Sequence, residues 1–260
     1  MVSSPKLSNP QRDAGKIWKV LKPRVKQKGR IRFGSDCAGL MGATLAMEAL
    51  GFNDMDMMHT FISEKSKAVK RIIIENYNID PDDIVDDLMK RDDTTAPVCD
   101  IYTCGFPCQP FSTAGTRQGQ QDKLGRGKLA MKICSYIREK QPKGFVLENV
   151  KGIGASRFSK FRARFMKALN AIETANGKQV YKIYQGVLNS KDHGVAQNRA
   201  RYYVVGIKKT LLANTGIEFE FPHPLPTPPL NCFLMKNVKQ TLQPPDIQAI
   251  KATTTKICFS

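Results

Sequence analysis

At 260 residues, 41% of them hydrophobic, the chain can build one sizeable α/β domain plus a small appendage. Its 41 Lys+Arg against 23 Asp+Glu give a formal charge of +18, which makes nucleic acid the natural polyanionic partner, although a ribosomal or membrane-surface protein would share that charge. No long apolar span and no secretory signal are present, so an intracellular protein is expected; seven cysteines without a Cys-x-x-Cys pair and three scattered histidines argue against disulfides and zinc.

The first stretch, Met1 to Arg32, carries ten basic residues against Asp13 alone. Within it, Lys16 to Arg30 reads as an arm that tracks a nucleic-acid backbone, as a nuclear address, or as a solvated tail. Ile31-Arg32-Phe33, then Ala38-Gly39-Leu40-Met41-Gly42, then the helical run Ala43 to Leu50 spell strand, glycine turn and helix, with small residues that let a ligand approach the backbone. Met57 to Ile62 reads as a second strand ending near Glu64, where an acid can grip ribose hydroxyls. A helical pattern over Lys65 to Asn76 follows. Asn53 to Asp100 holds twelve acids against six bases, so this half is the less attractive to phosphate.

Val98 to Cys104 is an apolar run that reads as a buried strand, and Gly105-Phe106-Pro107-Cys108-Gln109-Pro110-Phe111-Ser112 comes directly after it. Pro107 and Pro110 are poor strand-interior residues, so Cys108 is expected on a rigid exposed loop, where a nucleophile would sit. A helix is expected over Leu129 to Lys140. The strand-like run Gly144 to Leu147 closes on Glu148-Asn149-Val150, and Phe145-Val146-Leu147 is expected to carry the Glu148 carboxyl inside, where burial would let it donate a proton near neutral pH. Phe158, Phe161, Phe165 and Leu169 have the spacing of the core face of a helix over Phe158 to Ile172.

A strand near Ile183 precedes Gln197-Asn198-Arg199-Ala200-Arg201, which opens another at Tyr202 to Ile207. Between Lys151 and Lys209, thirteen bases face only Glu173 and Asp192. Beyond Lys209 the periodicity breaks, and Phe221 to Pro229 reads as a stiff connector. Strands alternating with helices imply a mostly parallel sheet flanked by helices. The glycine turn, Cys108 and Glu148 all fall at strand carboxyl ends, where such sheets bind ligands. Thiol, carboxyl and guanidinium together suggest attack on a heterocyclic base.

With these motifs in this order, the chain resembles the catalytic core of the DNA cytosine-5 methyltransferases over roughly Arg32 to Ile207. Gly-Phe-Pro-Cys-Gln-Pro-Phe-Ser matches that family's nucleophile loop, Glu-Asn-Val its acid motif, and Gln-x-Arg-x-Arg its arginine motif. The resemblance implies a Rossmann-like S-adenosylmethionine-dependent methyltransferase fold: a basic arm over 1–30, a catalytic domain over 31–210, and over 211–260 a Pro-rich linker with the start of a truncated target-recognition region. It implies catalytic roles for Cys108, Glu148, Arg199 and Arg201, and cofactor contacts from Ala38, Gly39, Leu40, Gly42, Glu64, Asp87, Pro107 and Leu129. Cys37 stands where the family has an aromatic that stacks on adenine, and Met41 replaces a customary glycine.

The chemistry can be followed from the residues. Carbon 5 of cytosine is too weakly nucleophilic to take a methyl group from a sulfonium unaided, so a thiolate must first add at carbon 6, while an acid and a fixed cation quench the charge that builds on the ring. In duplex DNA the base must also leave the stack. The loop Gly115 to Gly127 could close over it, with Ser112 or Arg117 on phosphate and Gln197 as a further DNA contact. Expected partners are DNA and S-adenosylmethionine, no membrane, and a second chain supplying the family's C-terminal motifs, which are not found here. The compartment would be the nucleus for a eukaryotic chain and the cytoplasm or nucleoid for a bacterial one. A tRNA cytosine-5 methyltransferase is the enzymatic alternative, and a catalytically silent DNA-binding or regulatory relative is the other.

Overall fold

The computed structural model describes residues 30–52, 55–77, 79–106 and 126–225. The elements run β1 (Ile31–Asp36), α1 (Gly42–Ala49), β2 (Met57–Ser63), α2 (Lys67–Tyr77), β3 (Ile84–Val85), β4 (Ile101–Gly105), α3 (Arg126–Lys140), β5 (Gly144–Val150), α4 (Ser159–Asn170), β6 (Tyr181–Asn189), β7 (Ala200–Lys208) and α5 (Lys209–Thr215). The seven strands form one sheet in the order β3-β2-β1-β4-β5-β7-β6. β1 to β5 pair in parallel, and β7 lies antiparallel between β5 and β6. This is the mostly parallel, Rossmann-like α/β sheet that the alternation of strands and helices predicts.

The sheet is buried on both faces. Phe61 and Ile62 are neighbours on β2 and must point to opposite sides, yet both are buried, each in a different apolar cluster. Ile62 meets Met41, Ile73 and Ile84, while Phe61 joins Tyr102, Phe145, Ile133, Ile137 and Phe165. Met41 is therefore a core residue. Phe158, Phe161, Phe165 and Leu169 are buried as their helical spacing predicts.

Strand order turns back between β1 and β4. The chain builds outward through β2 and β3, returns to lay β4 on the other side of β1, and so opens a crevice at the carboxyl ends of β1 and β4. The amino ends of the central strands are clamped by Asp100. Its carboxylate accepts from the Arg32 backbone N–H at 3.0 Å and from the Arg32 guanidinium at 3.1 Å through two nitrogens, and pairs with Lys143 at 3.2 Å.

Three features depart from the sequence reading. The two-residue β3 is flanked by aspartates and too short to show a period. β5 continues through Glu148-Asn149-Val150, since β7 pairs with it to the end. Order also persists past Lys209: α5 follows β7, Phe219 packs at 5.0 Å against Tyr184 of β6, Phe221 packs on Phe219, and the Leu225 N–H donates to the Asp192 carbonyl at 2.8 Å. The start of the connector at Phe221 thus lies along β6, where ring burial rather than periodicity fixes it.

Candidate active site

β1 ends in Asp36, which is fully buried and accepts from both terminal nitrogens of Arg91 at 2.8 and 2.9 Å and from the Tyr102 hydroxyl at 2.6 Å. The Arg91 guanidinium also lies over the Phe61 and Tyr136 rings, 4.9 and 4.5 Å from their centroids. A bidentate, ring-stacked arginine satisfies the carboxylate in a place water cannot reach. Immediately beyond this anchor the backbone turns left-handed at Cys37 (φ 51), Gly39 (φ 54) and Met41 (φ 60). Such a conformation is free for Gly39 and costs roughly 1–2 kcal/mol at each of the other two. Burial of the Met41 side chain with Ile62, Ile73 and Ile84 holds the turn in that shape.

Glu64 closes the turn. One carboxylate oxygen accepts from the Gly39 N–H at 3.0 Å and the other from the Ser66 N–H at 2.8 Å, while the Glu64 N–H donates to Val85 at the end of β3. Each oxygen keeps a second lone pair for a ribose hydroxyl. A Cβ added at Gly39 or Gly42 would meet nothing within 4 Å, so the turn is open on that side. Ala38 is partly buried against the smaller cluster and Leu40 is exposed. Asp87 caps the turn after β3, accepting from the Met89 N–H at 3.0 Å and from Lys65 at 3.3 Å; these contacts hold its carboxyl below the ordinary range. Leu129, in the first turns of α3, packs on the larger core cluster. An open glycine turn with acids at the ends of β2 and β3 fits an adenosyl cofactor. Cys37 packs against the core beside Cys104 and takes no part in lining this open turn with a ring.

The reactive end is built on β4, β5 and β7. Glu148 pairs across the ladder with Gly105 on one side and Tyr203 on the other. A Cβ at Gly105 would stand 3.4 Å from Glu148 Oε2, so the carboxyl lies over the last residue of β4, where a larger side chain would crowd it. Arg201 Nε sits 2.7 Å from Glu148 Oε1, and a further Arg201 nitrogen donates to the Ala200 carbonyl at 3.0 Å. The expectation that Glu148 is carried into the core is corrected. Phe145, Leu147 and Asn149 alternate inward, which leaves Glu148 half-buried on the other face beside Arg201.

Arg199 is exposed, and the structure does not bring its side chain into that ion pair; its backbone N–H is fixed by the Asn189 side chain at 2.9 Å. Gln197 is also exposed, its carbonyl accepting from Ser190 at 2.5 Å. Pro107, Cys108, Ser112 and Arg117 lie outside the described residues. Of the other cysteines, burial pushes the Cys99 thiol up to about 11, that of Cys134 up to about 12, and that of Cys104 upward as well, so these three stay protonated at neutral pH.

Two residues at this end are not evident from the sequence. Asn149 is buried, donates its amide to the Phe106 carbonyl at 3.2 Å and accepts from the Val150 N–H at 2.8 Å. It thereby pins the last described residue before Pro107 and Cys108. Tyr203 shares the face of Glu148, and burial first, then the nearby carboxylate, push its phenol upward. The Glu-Asn-Val run carried the signal for Asn149, since a polar amide between two apolar strand residues needs a partner if buried.

With this geometry in place, the sequence profile of the C-5 cytosine-specific DNA methylases matches residues 31–256. The chain belongs to that family. Relatives of this chain include Type II methyltransferase M.SsoII of Shigella sonnei, 36% identical over 202 residues covering 77% of this chain and 48% of that protein, and Type II methyltransferase M1.ScrFI of Lactococcus lactis subsp. cremoris, 35% identical over 177 residues covering 68% and 42%. The chain thus spans about half the length of the curated relatives it matches. Among solved structures, the Entamoeba histolytica methyltransferase EhMeth superposes with a TM-score of 0.58 at 20% identity, over 82% of this chain and 62% of that one, which supports the same fold. No helix among the described residues is long and apolar enough to cross a membrane.

Proposed function

We propose that the chain is the catalytic core of a DNA cytosine-5 methyltransferase, acting on a cytosine flipped from the duplex, with Cys108 as nucleophile and S-adenosylmethionine as methyl donor. The observation that carries this reading is the meeting of Glu148 and Arg201 at 2.7 Å beside Gly105, three residues before Cys108. In this reading the Cys108 thiolate adds to carbon 6, and the electron pair displaced from the 5,6 double bond moves toward nitrogen 3 and oxygen 2. Glu148 gives a proton to nitrogen 3, and Arg201 fixes the carboxyl for that transfer. The cofactor supplies an electrophilic methyl group, which carbon 5 takes. Loss of the carbon 5 proton to a base then re-forms the double bond, expels Cys108 as thiolate and returns the nitrogen 3 proton to Glu148. Arg199, exposed just before β7, would meet oxygen 2 or a phosphate.

The glycine turn, Glu64 and Asp87 would hold the cofactor's ribose and adenine, and Leu129 and Pro107 would wall its methyl end. Ser112, Arg117 and Gln197 would touch DNA. The test is covalent trapping: duplex DNA carrying 5-fluorocytosine, incubated with the chain and S-adenosylmethionine, is expected to give a denaturation-resistant adduct that Cys108→Ser abolishes. Adduct formation on tRNA instead of DNA would move the assignment to the tRNA alternative. Normal DNA binding with no adduct on either would leave the silent DNA-binding reading.

A further inference from the structure

From Lys151 to Asn170 the chain has six bases and no acid. The segment begins where β5 ends, beside Glu148, and runs through two short 3-10 turns into α4. Helical geometry sorts its side chains. Phe161, Phe165 and Leu169 are buried against the larger core, which forces Lys160, Arg164 and Lys167 onto the solvent side, where all three are exposed. Their i, i+4, i+7 spacing makes one stripe rather than a scatter. Among the described residues no carboxylate pairs with any of them, whereas Arg71 meets Glu75 and Lys182 meets Glu218 elsewhere on the surface. Arg162, half-buried, donates to the Ile153 carbonyl at 3.2 Å and ties the helix to the turn at the catalytic edge.

We propose that this face of α4 is a second docking surface that grips the phosphate backbone of the duplex flanking the target base; it rests on the DNA-methylating reading above. Lys160 to Lys167 spans about 10 Å of helix axis at roughly 1.5 Å per residue, which matches about three steps between successive phosphates of one DNA strand at their axial spacing of roughly 3.4 Å. Spacing favours a regular polyanion over an acidic protein patch, and the uninterrupted sign of charge removes the local repulsion an acid would add. The contact carries no sequence information. It sets affinity and its dependence on salt.

The test compares the full chain with two triple variants that each lose three charges. K160Q/R164Q/K167Q strips the α4 stripe, while R138Q/K178Q/K209Q removes exposed cations at the amino ends of the parallel strands, on the opposite rim. Fluorescence anisotropy with a labelled duplex, read from about 50 to 300 mM NaCl, should show the first variant binding at least tenfold more weakly near 150 mM, with a log–log salt slope shallower by about two to three. The rim variant should stay within twofold of wild type. R164Q alone should relax the slope by about one, which guards against misfolding of the triple variant. Equal losses in the two triple variants would overturn the proposal in favour of net charge alone. Loss of binding to phosphatidylserine vesicles with duplex affinity intact would overturn it in favour of a membrane surface. Trapping by 5-fluorocytosine reports separately on Cys108, so a slope change without an adduct would keep the surface and discard the chemistry.

Discussion

The Glu148 carboxyl is held at 2.7 Å by Arg201 and stands over Gly105. A neutral amide at this position keeps shape and most hydrogen bonds but cannot exchange a proton with the ring. Glu148→Gln is therefore expected to slow methyl transfer by about 10²–10⁴-fold while leaving duplex affinity within about twofold. Single-turnover transfer of labelled methyl groups, paired with anisotropy, separates the two; equal losses in both would make Glu148 a structural residue. Asn149 acts one step further back. Asn149→Ala would leave the Phe106 carbonyl unpartnered in the interior, costing about 1–3 kcal/mol in urea unfolding. Because it also frees the chain leading to Cys108, it should slow adduct formation more than it weakens cofactor binding, a split that stopped-flow trapping against calorimetry would read. Here the sequence was half legible. The motifs named Glu148, Arg199 and Arg201, but strand alternation decided that Asn149, not Glu148, goes inside, and only the partner strand β7 shows that Arg201 is the arginine that meets the acid.

Elements that follow one another in sequence were easier to read than those fixed by distant partners. β1, its glycine turn and α1 follow from local chemistry, as does α4 from its phenylalanines. The Asp36–Arg91 pair joins residues 55 positions apart, and no local pattern announces it. The same holds for the clamp at the amino ends of β1, β4 and β5. Hydrogen bonds from Arg32, with Lys143 beside them, hold the Asp100 carboxyl well below the usual carboxylate range. A depressed carboxyl stabilises the fold fully above its unfolded value of about 3.9, and that contribution is lost as pH falls below it toward the folded value. Asp100→Asn should thus lower stability at pH 7 and flatten the decline between about pH 4 and pH 2. Denaturant midpoints across that window check the sign: a variant as steep as wild type would show that the clamp does not couple folding to protonation.

Across the whole molecule, charge divides the chain into an acidic and a basic half. The stretch 53–100, which supplies Glu64 and Asp87, holds twelve acids against six bases, while 151–209 holds thirteen bases against two acids. Under the proposed function, a sulfonium-bearing cofactor of low net charge would approach the first region and a polyanion the second. Counterions released from DNA make its affinity fall steeply with salt, by about three orders of magnitude between 50 and 200 mM for six phosphate contacts. A cofactor held in the glycine turn would displace few ions, and contacts to Glu64 and the backbone there would lie inside a Debye length, which is about 10 Å at 0.1 M. Its affinity should change by less than about threefold over the same range. Isothermal titration of S-adenosylmethionine beside duplex anisotropy, in matched NaCl series, tests this division: parallel slopes for both ligands would mean that one shared electrostatic field, and not two differently charged halves of the sheet, governs binding.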